Sequence, residues 1–176
     1  YKCTLCGACD VGCKRNLDYE PLLLLESLRA RCVEDGYGPM PEHRKVAERI
    51  EATGNSFGLP LEERLAWLPS GAKYIEGDVL LYIGCSGSYM TKEITLSVVG
   101  ILEELGISYF FLDKERCCGY KLYTTGQINK ARKLAERNLE MVKKTGAREV
   151  VFICAHCYKT FKVDYPKILG LDTDEL

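Results

Sequence analysis

The chain has 176 residues, enough for one ordinary domain or for one domain with a small appendage. Its 24 lysines and arginines stand against 25 aspartates and glutamates, and the resulting net charge of −1 excludes a basic field for nucleic acid and a polybasic arm for a membrane surface. The longest apolar runs, Leu22–Leu25 and Val79–Ile83, are far too short to span a bilayer.

Ten cysteines in this chain are compatible with a secreted disulfide scaffold or with metal binding. The rest of the sequence has long amphipathic helical patterns and buried-strand patterns, so a core can form without disulfides. We therefore expect metal binding in a reducing compartment. This predicts a cytoplasmic location, with attachment to a membrane through a partner subunit left open. No signal peptide is visible and the first residue is Tyr1, so we expect a piece of a longer protein.

The chain begins with a closely spaced cysteine run in the pattern C-x2-C-x2-C-x3-C, formed by Cys3, Cys6, Cys9 and Cys13. This spacing is typical of a ferredoxin-type [4Fe–4S] module, in which the fourth cysteine usually ligates the other cluster of a pair. We predict that the first three cysteines hold one cubane cluster and that Cys13 serves a second. The partner run is expected upstream of Tyr1, and Lys14 stands where ferredoxins usually have proline.

The next part of the chain, residues 19–75, predicts a helical connector. Proline and glycine breaks divide it into helices over residues 21–36, 42–53 and 61–68. We therefore divide the chain into part of a ferredoxin-type module at 1–18, the connector at 19–75 and a third unit at 76–176.

The third unit alternates between buried-strand and helix patterns. A continuous apolar run predicts a buried strand over residues 79–83, and further strands are predicted over 107–112 and 149–153. The first intervening helix has an apolar face formed by Ile94, Val98, Ile101, Leu102 and Leu105, and the second has one formed by Ile128, Ala131, Leu134, Ala135, Leu139 and Val142. A short helix is expected from Tyr158. The order βαβαβα predicts an α/β fold with a parallel sheet and right-handed crossovers.

Five further cysteines follow the three predicted strands in the pattern C-x31-CCG-x34-CxxC, and they are Cys85, Cys117, Cys118, Cys154 and Cys157. Ligands in open parallel sheets bind beyond the carboxyl ends of the strands, so we expect these cysteines to meet there. Thiolates are soft ligands that select iron–sulfur clusters, zinc or copper(I), and five exceed the needs of one tetrahedral zinc. The alternative is that they are small buried apolar side chains.

This pattern resembles the CCG (cysteine-rich) domain of heterodisulfide reductase catalytic subunits and their relatives. The resemblance covers roughly residues 76–176 and rests on Asp78–Tyr89, Glu115–Gly119, Asn138, Cys154–Tyr158 and Tyr165-Pro166. Ala155 stands where the family often has proline, which affects loop stiffness and leaves the ligands unchanged. A similar Gly-Asn-x-Phe-Gly loop followed by tryptophan joins ferredoxin and CCG modules in this family.

The resemblance implies an iron–sulfur oxidoreductase subunit. Cubane clusters would relay electrons to a noncubane [4Fe–4S] cluster that all five cysteines hold, where a disulfide is reduced. The implied partners are other redox subunits with a flavin or iron–sulfur donor, and a small-molecule disulfide or a quinone-linked acceptor. Only one CCG motif is present, so a second is expected beyond Leu176 or on a partner, unless the reaction differs.

Two alternatives remain open at this point. The chain could be a pure electron-transfer subunit of a flavin- or quinone-linked dehydrogenase or of a benzoyl-CoA reductase-type complex. It could also be a zinc-stabilised docking domain, in which four thiolates bind zinc and one stays free.

His156 is the candidate catalytic residue, because it lies between two predicted ligands and histidine can donate a proton near neutrality. The alternative is a hydrogen bond from His156 to cluster sulfur or to the backbone. His43 is expected to be solvated on a charged helix, and Cys32 to pack on an apolar helix face.

Overall fold

Three parallel strands form the centre of the structure, a computed structural model that describes residues 2–14, 19–69 and 77–173. The strands are β1 (Val79–Tyr82), β2 (Tyr109–Phe110) and β3 (Glu149–Phe152). They lie in the order β2-β1-β3, so β1 is central and pairs in parallel with both neighbours. This arrangement confirms the predicted α/β class and the parallel sheet.

Helices connect and cover these strands. Before the sheet come α1 (Ala8–Lys14), α2 (Pro21–Glu34), α3 (Pro41–Thr53) and a 3-10 turn at Leu61–Glu63. Within the sheet unit follow α4 (Gly84–Tyr89), α5 (Lys92–Glu104), α6 (Tyr120–Thr124) and α7 (Ile128–Thr145). After β3 come α8 (Ala155–Lys159), a π-helical turn (Thr160–Asp164) and α9 (Tyr165–Lys167).

Side chains of β1 alternate between two apolar cores, as a sheet covered on both faces requires. Leu80 and Tyr82 face the larger core, which includes residues of α3, α6 and α7. Leu81 and Ile83 face the smaller core, which includes residues of α5 and Leu68. The connector helix α3 therefore packs against the same core as the sheet unit.

The apolar face predicted for α5 is confirmed only in part. Leu102 is buried and Val98 is partly buried against the smaller core, but Ile94, Ile101 and Leu105 of that face are 49%, 58% and 66% exposed. Thr95 and Val99, which lie outside the predicted face, are buried instead. Helix α5 has apolar residues on two adjacent stripes. Sequence periodicity alone does not indicate which of the two stripes is buried by the rest of the described structure. The face predicted for α7 agrees with the structure, since Ala131, Ala135, Leu139 and Val142 are buried there.

Two short helices have no counterpart in the predicted pattern, and one predicted helix is shorter than expected. Helix α4 begins at Gly84, directly before Cys85, and α6 begins at Tyr120, after Cys118 and Gly119. Helix α4 contains two glycines and two serines, which are weak helix formers. The predicted helix over residues 61–68 forms only the turn at Leu61–Glu63. The rest of that segment turns inward, because Trp67 Nε1 donates to the carbonyl oxygen of Ser88 at 2.8 Å. Strand β2 is also shorter than its pattern.

The N-terminal segment contacts α2, and α2 in turn contacts the sheet unit. Asp10 Oδ1 accepts a hydrogen bond from the backbone N–H of Leu22 at 2.8 Å. Arg29 donates to the carbonyl oxygen of Cys3 and, at 2.8 Å, to that of Thr124 in α6. The boundaries predicted at residues 18, 75 and 176 lie outside the described residues, and the three-unit division stays a prediction.

None of the helices within residues 2–14, 19–69 and 77–173 is both long enough and apolar enough to cross a membrane.

Candidate functional site

The structure brings the five cysteines of the C-x31-CCG-x34-CxxC pattern together at the carboxyl end of the sheet. They line one cavity, here called the five-cysteine cavity, whose wall is formed by Cys85, Cys117, Cys118, Cys154 and Cys157 together with Ser56, Ser86, Tyr120, Lys121 and His156. Four of the cysteines are buried and Cys154 is partly exposed. Sheet topology therefore assembles residues that are far apart in the sequence, as expected from the strand ends.

The five thiols contact one another in a continuous chain. Cys85 is hydrogen-bonded to Cys117, Cys117 to Cys118, Cys118 to Cys157, and Cys157 to Cys154. So many thiols at this separation cannot all ionise, because adjacent negative charges in a buried site repel strongly. Cys85, Cys117 and Cys157 therefore keep their protons, and Cys118 and Cys154 act as acceptors.

The pKa values follow this division between donors and acceptors. Hydrogen bonds from Cys117 and Cys157 hold the pKa of Cys118 well below its ordinary value. The bond from Cys157 lowers the pKa of Cys154 to about 5, with help from backbone N–H groups of Cys157 and His156. The bond to Cys118 raises the pKa of Cys117 to about 12 and also raises that of Cys157. Cys118 and Cys154 are thus the two preferred thiolates.

We expect Cys154 to be the most reactive of these five thiols in metal-free, reduced protein. Alkylating agents attack the thiolate, and a pKa of about 5 leaves Cys154 ionised at pH 6, whereas Cys117 stays protonated. Peptide mapping after brief iodoacetamide treatment should find the label on Cys154, with the rate falling as the pH drops through about 5. A rate for Cys154 that rises only above pH 8 would contradict the proposed thiolate.

Cys85 is positioned by the first turn of α4. Gly84 directly before it has a φ of +74°, and a Cβ atom there would lie 2.9 Å from Cys157 Sγ. Only glycine fits this backbone conformation and this close approach without strain. The buried carboxylate of Glu115 accepts hydrogen bonds from the N–H groups of Ile83 and Gly84, both at 2.8 Å. Glu115 in turn forms an ion pair with the buried Arg64 of the connector.

Three buried side chains hold the Cys117–Cys118 loop by its carbonyl groups. Tyr82 donates to the carbonyl oxygen of Arg116 at 2.5 Å and Tyr165 to that of Cys118 at 2.7 Å. Asn138 Nδ2 donates to the carbonyl oxygen of Cys117 at 2.9 Å and to the Tyr165 hydroxyl at 3.1 Å. The carbonyl oxygens therefore point into the core, and the N–H of Gly119 donates to Cys117 Sγ at 3.4 Å.

The connector completes the cavity. The carbonyl oxygen of Gly54 accepts a hydrogen bond from the N–H of Cys117 at 2.7 Å. Ser56, which is buried, lines the cavity and accepts a hydrogen bond from Lys121 Nζ at 3.3 Å. No spacing pattern in the sequence indicates Ser56, Ser86, Tyr120 or Lys121, and only the fold shows that these residues lie at the site.

His156 lies in α8 at the exposed rim of the five-cysteine cavity. Its ring packs against the Tyr120 ring, with centroids 4.4 Å apart and an interplanar angle of 38°. The imidazole is close enough to Cys154 to help lower the pKa of that thiol. This placement is compatible with both predicted roles, proton donation and a hydrogen bond to sulfur, so the role of His156 stays a prediction.

The N-terminal cysteines lie apart from this cavity. Cys3 and Cys6 precede α1, and Cys9 and Cys13 lie within it. Cys6 and Cys9 are exposed, and the N–H of Leu5 donates to Cys3 Sγ at 3.3 Å. The cluster ligation predicted for these residues, including the second cluster for Cys13, stays a prediction. Cys32 is partly exposed on α2 and outside both groups.

The five-cysteine cavity fits an iron–sulfur cluster in its donor chemistry, because it offers five soft thiolates and a backbone N–H to sulfur. Among residues 2–14, 19–69 and 77–173, no three His, Cys, Asp or Glu side chains are spaced as a ligand set for a single metal ion. The thiols contact one another instead. Ligation would therefore replace the protons that they share and release these protons.

Comparison with known families and proteins agrees with this donor set. The family of cysteine-rich domains named CCG matches residues 79–162, which contain all five cysteines of the cavity. No solved structure matches the chain significantly.

The similar curated proteins are iron–sulfur and redox proteins. The chain is 34% identical over 173 residues to a subunit of the dihydromethanophenazine:CoB–CoM heterodisulfide reductase of Methanosarcina acetivorans, an alignment that covers 96% of the chain and 42% of that relative. It is 31% identical over 170 residues to a subunit of the fumarate reductase (CoM/CoB) of Methanothermobacter marburgensis, covering 95% of the chain and 33% of that relative.

A third relative is the EtfAB:quinone oxidoreductase of Syntrophomonas wolfei, with 27% identity over 186 residues, covering 97% of the chain and 25% of that protein. The chain thus spans less than half the length of these curated relatives.

Proposed function

Residues 79–162 belong to the CCG family of cysteine-rich domains, and on this basis we propose that the chain is an iron–sulfur oxidoreductase subunit that passes electrons to a disulfide substrate. The observation that carries the proposal is the convergence of five thiols in one cavity with an exposed rim. The similarity to a heterodisulfide reductase subunit supports the reaction class. The names of this relative and of the fumarate reductase subunit support assembly with further redox subunits.

The ligands proposed for a noncubane [4Fe–4S] cluster are Cys85, Cys117, Cys118, Cys154 and Cys157. Those proposed for cubane clusters are Cys3, Cys6, Cys9 and Cys13. When bound, such clusters supply single-electron steps, which a disulfide needs twice for its reduction to two thiols. The side chains at the rim, His156 and Lys121, lie where a substrate would approach. In this proposal His156 donates a proton to a departing thiolate.

A second function is supported by the similarity to an EtfAB:quinone oxidoreductase. In that case the chain relays electrons between a flavin donor and a quinone-linked acceptor and binds no disulfide. A zinc-stabilised docking domain is the third alternative. All three functions are compatible with a cytoplasmic location, with a partner subunit providing any contact with a membrane.

We expect anaerobically purified chain to contain iron and acid-labile sulfide, because soft thiolates in these two patterns suit iron–sulfur clusters. Stoichiometric zinc without sulfide would instead support the docking domain.

We further expect a disulfide to change the paramagnetic spectrum of the oxidised or one-electron-reduced cluster at the five-cysteine cavity. An unchanged spectrum with every disulfide tested, together with rapid electron transfer to a redox partner, would favour the relay.

A further inference from the structure

The N-terminal segment, residues 2–14, has no apolar core of its own. None of residues 2–13 is buried, and Val11 in α1 is 76% exposed. Helix α1 has only seven residues, and isolated helices shorter than about 12–15 residues are marginal in water. Chain termini are poorly ordered unless contacts tie them down. The position of this segment in the folded chain therefore depends on a few polar contacts.

Helix α2 supplies two of these contacts. Near its start, the backbone N–H of Leu22 donates to Asp10 Oδ1 at 2.8 Å. Further along the helix, Arg29 Nη2 donates to the carbonyl oxygen of Cys3, the first cysteine of the N-terminal run. A hydrogen bond from a charged donor is roughly twice as strong as one between neutral groups. Arg29 is thus a strong attachment point for the Cys3 end of the segment.

The same guanidinium reaches the unit that carries the five-cysteine cavity. Arg29 Nη1 donates to the carbonyl oxygen of Thr124 at 2.8 Å, so two nitrogens of one side chain bind carbonyl groups in two distant parts of the chain. Thr124 ends α6, a five-residue helix roughly 7.5 Å long that begins directly after the Cys117-Cys118-Gly119 motif. Arg29 therefore bridges the N-terminal segment and the helix that follows two of the cavity cysteines.

The backbone of α2 is fixed at the point from which Arg29 extends. A Cβ atom at Gly126, which has a φ of +82°, would lie 2.5 Å from the carbonyl oxygen of Arg29. Only glycine permits such a close contact between the two backbones. A second attachment lies directly before α2, where Glu20 accepts a hydrogen bond from Lys167 Nζ in α9 at 2.6 Å. The guanidinium therefore extends from a base that is itself attached to the sheet unit.

We propose that Arg29 is a positioning residue that holds the N-terminal segment at one distance from the five-cysteine cavity, so that electrons pass between the two sites without movement of a separate carrier domain. Two groups held in position react without the entropy cost of bringing them together. The electron transfer in this inference rests on the proposed function, since it requires clusters at both sites. The attachment does not, because Arg29 binds carbonyl oxygens and no sulfur.

The attachment is tested in metal-free, reduced full chain by hydrogen–deuterium exchange. We expect Arg29→Gln to speed exchange in α1 by roughly tenfold, because a hydrogen bond from a charged donor is lost, while exchange in β1 and β3 is unchanged. Arg29→Lys keeps the charge but offers one nitrogen in place of two, and should not restore wild-type exchange. Arg31→Gln removes an arginine from the exposed face of the same helix and should match the wild type.

The functional consequence is tested in iron-loaded full chain after rapid one-electron reduction. We expect Arg29→Gln to retain iron and sulfide at both sites. The magnetic coupling between the two reduced clusters should weaken in this variant. The electron should also pass more slowly from the N-terminal cluster to the cluster whose signal Cys118→Ala removes. Arg31→Gln should again match the wild type.

Wild-type exchange in α1 of Arg29→Gln, or its full recovery in Arg29→Lys, would overturn the bridge. Unfolding of both Arg29 variants would also overturn it, because the side chain would then stabilise the whole chain and not the N-terminal segment. Faster exchange in α1 with unchanged coupling and unchanged electron passage would overturn the positioning role. Wild-type chain without iron and sulfide would refute the proposed function, and with it the electron transfer, whereas exchange alone decides the attachment.

Discussion

We expect Cys118→Ala to remove the iron–sulfur signal of the five-cysteine cavity and to leave the N-terminal signal in place. Cys118 is buried at the centre of the thiol chain, between Cys117 and Cys157. Loss of a direct ligand should reduce cluster occupancy by at least about 10-fold, since even indirect supporting residues typically change metal affinity by that factor. The measurement is iron and acid-labile sulfide per chain, together with the spectra of the two sites.

The matched control for this variant is Cys32→Ala. Cys32 lies on α2, outside both cysteine groups, and is partly exposed. Its replacement should leave both signals unchanged. If Cys118→Ala retains full iron and sulfide, Cys118 is not a ligand. Loss of both signals from a folded Cys118→Ala chain would show that the two sites do not load independently.

Gly84→Ala is the second change for which we expect a large effect. The φ of +74° at Gly84 costs an alanine roughly 1–2 kcal/mol, and the added Cβ would lie only 2.9 Å from Cys157 Sγ. The variant should therefore be less stable in chemical denaturation of the metal-free chain. It should also bind less iron at the five-cysteine cavity, because Cys157 must move to accommodate the methyl group.

Gly100→Ala provides a control with the same chemical change. Gly100 lies within α5, and a Cβ atom there would meet nothing within 4 Å. Alanine at this position should stabilise the chain by roughly 0.5–1 kcal/mol, because glycine is unfavourable within a helix. If the two variants have the same stability and iron content, the close approach at Gly84 does not constrain the site.

The sheet and the convergence of the cysteines could be predicted because both depend on local patterns. The strand patterns identify β1 and β3 to within one residue, and parallel topology then places the residues that follow each strand at one edge. The motif Cys117-Cys118-Gly119 can also be recognised in the sequence, because two adjacent cysteines followed by glycine are an unusual local pattern.

The supporting residues could not be predicted because they act through long-range contacts. Helix α4 has a weak helical sequence, and its first turn is held by Glu115, which lies 31 and 32 residues away from its two N–H donors. Arg64 belongs to a segment that resembles a surface helix in sequence. It becomes buried only because Trp67 and Glu115 hold that segment against α4. Periodicity likewise cannot indicate which of two apolar stripes on α5 is covered.

In the proposed function, the anchored carbonyl groups of the Cys117–Cys118 loop affect the rate at which a cluster there exchanges electrons. A charge that arrives at these sulfurs is met by peptide dipoles that Tyr82, Asn138 and Tyr165 already hold in fixed directions. Dipoles that need not turn when the charge changes contribute little reorganisation energy to the transfer. If the loop holds the proposed cluster, the three buried side chains keep the reorganisation energy of its oxidation and reduction low.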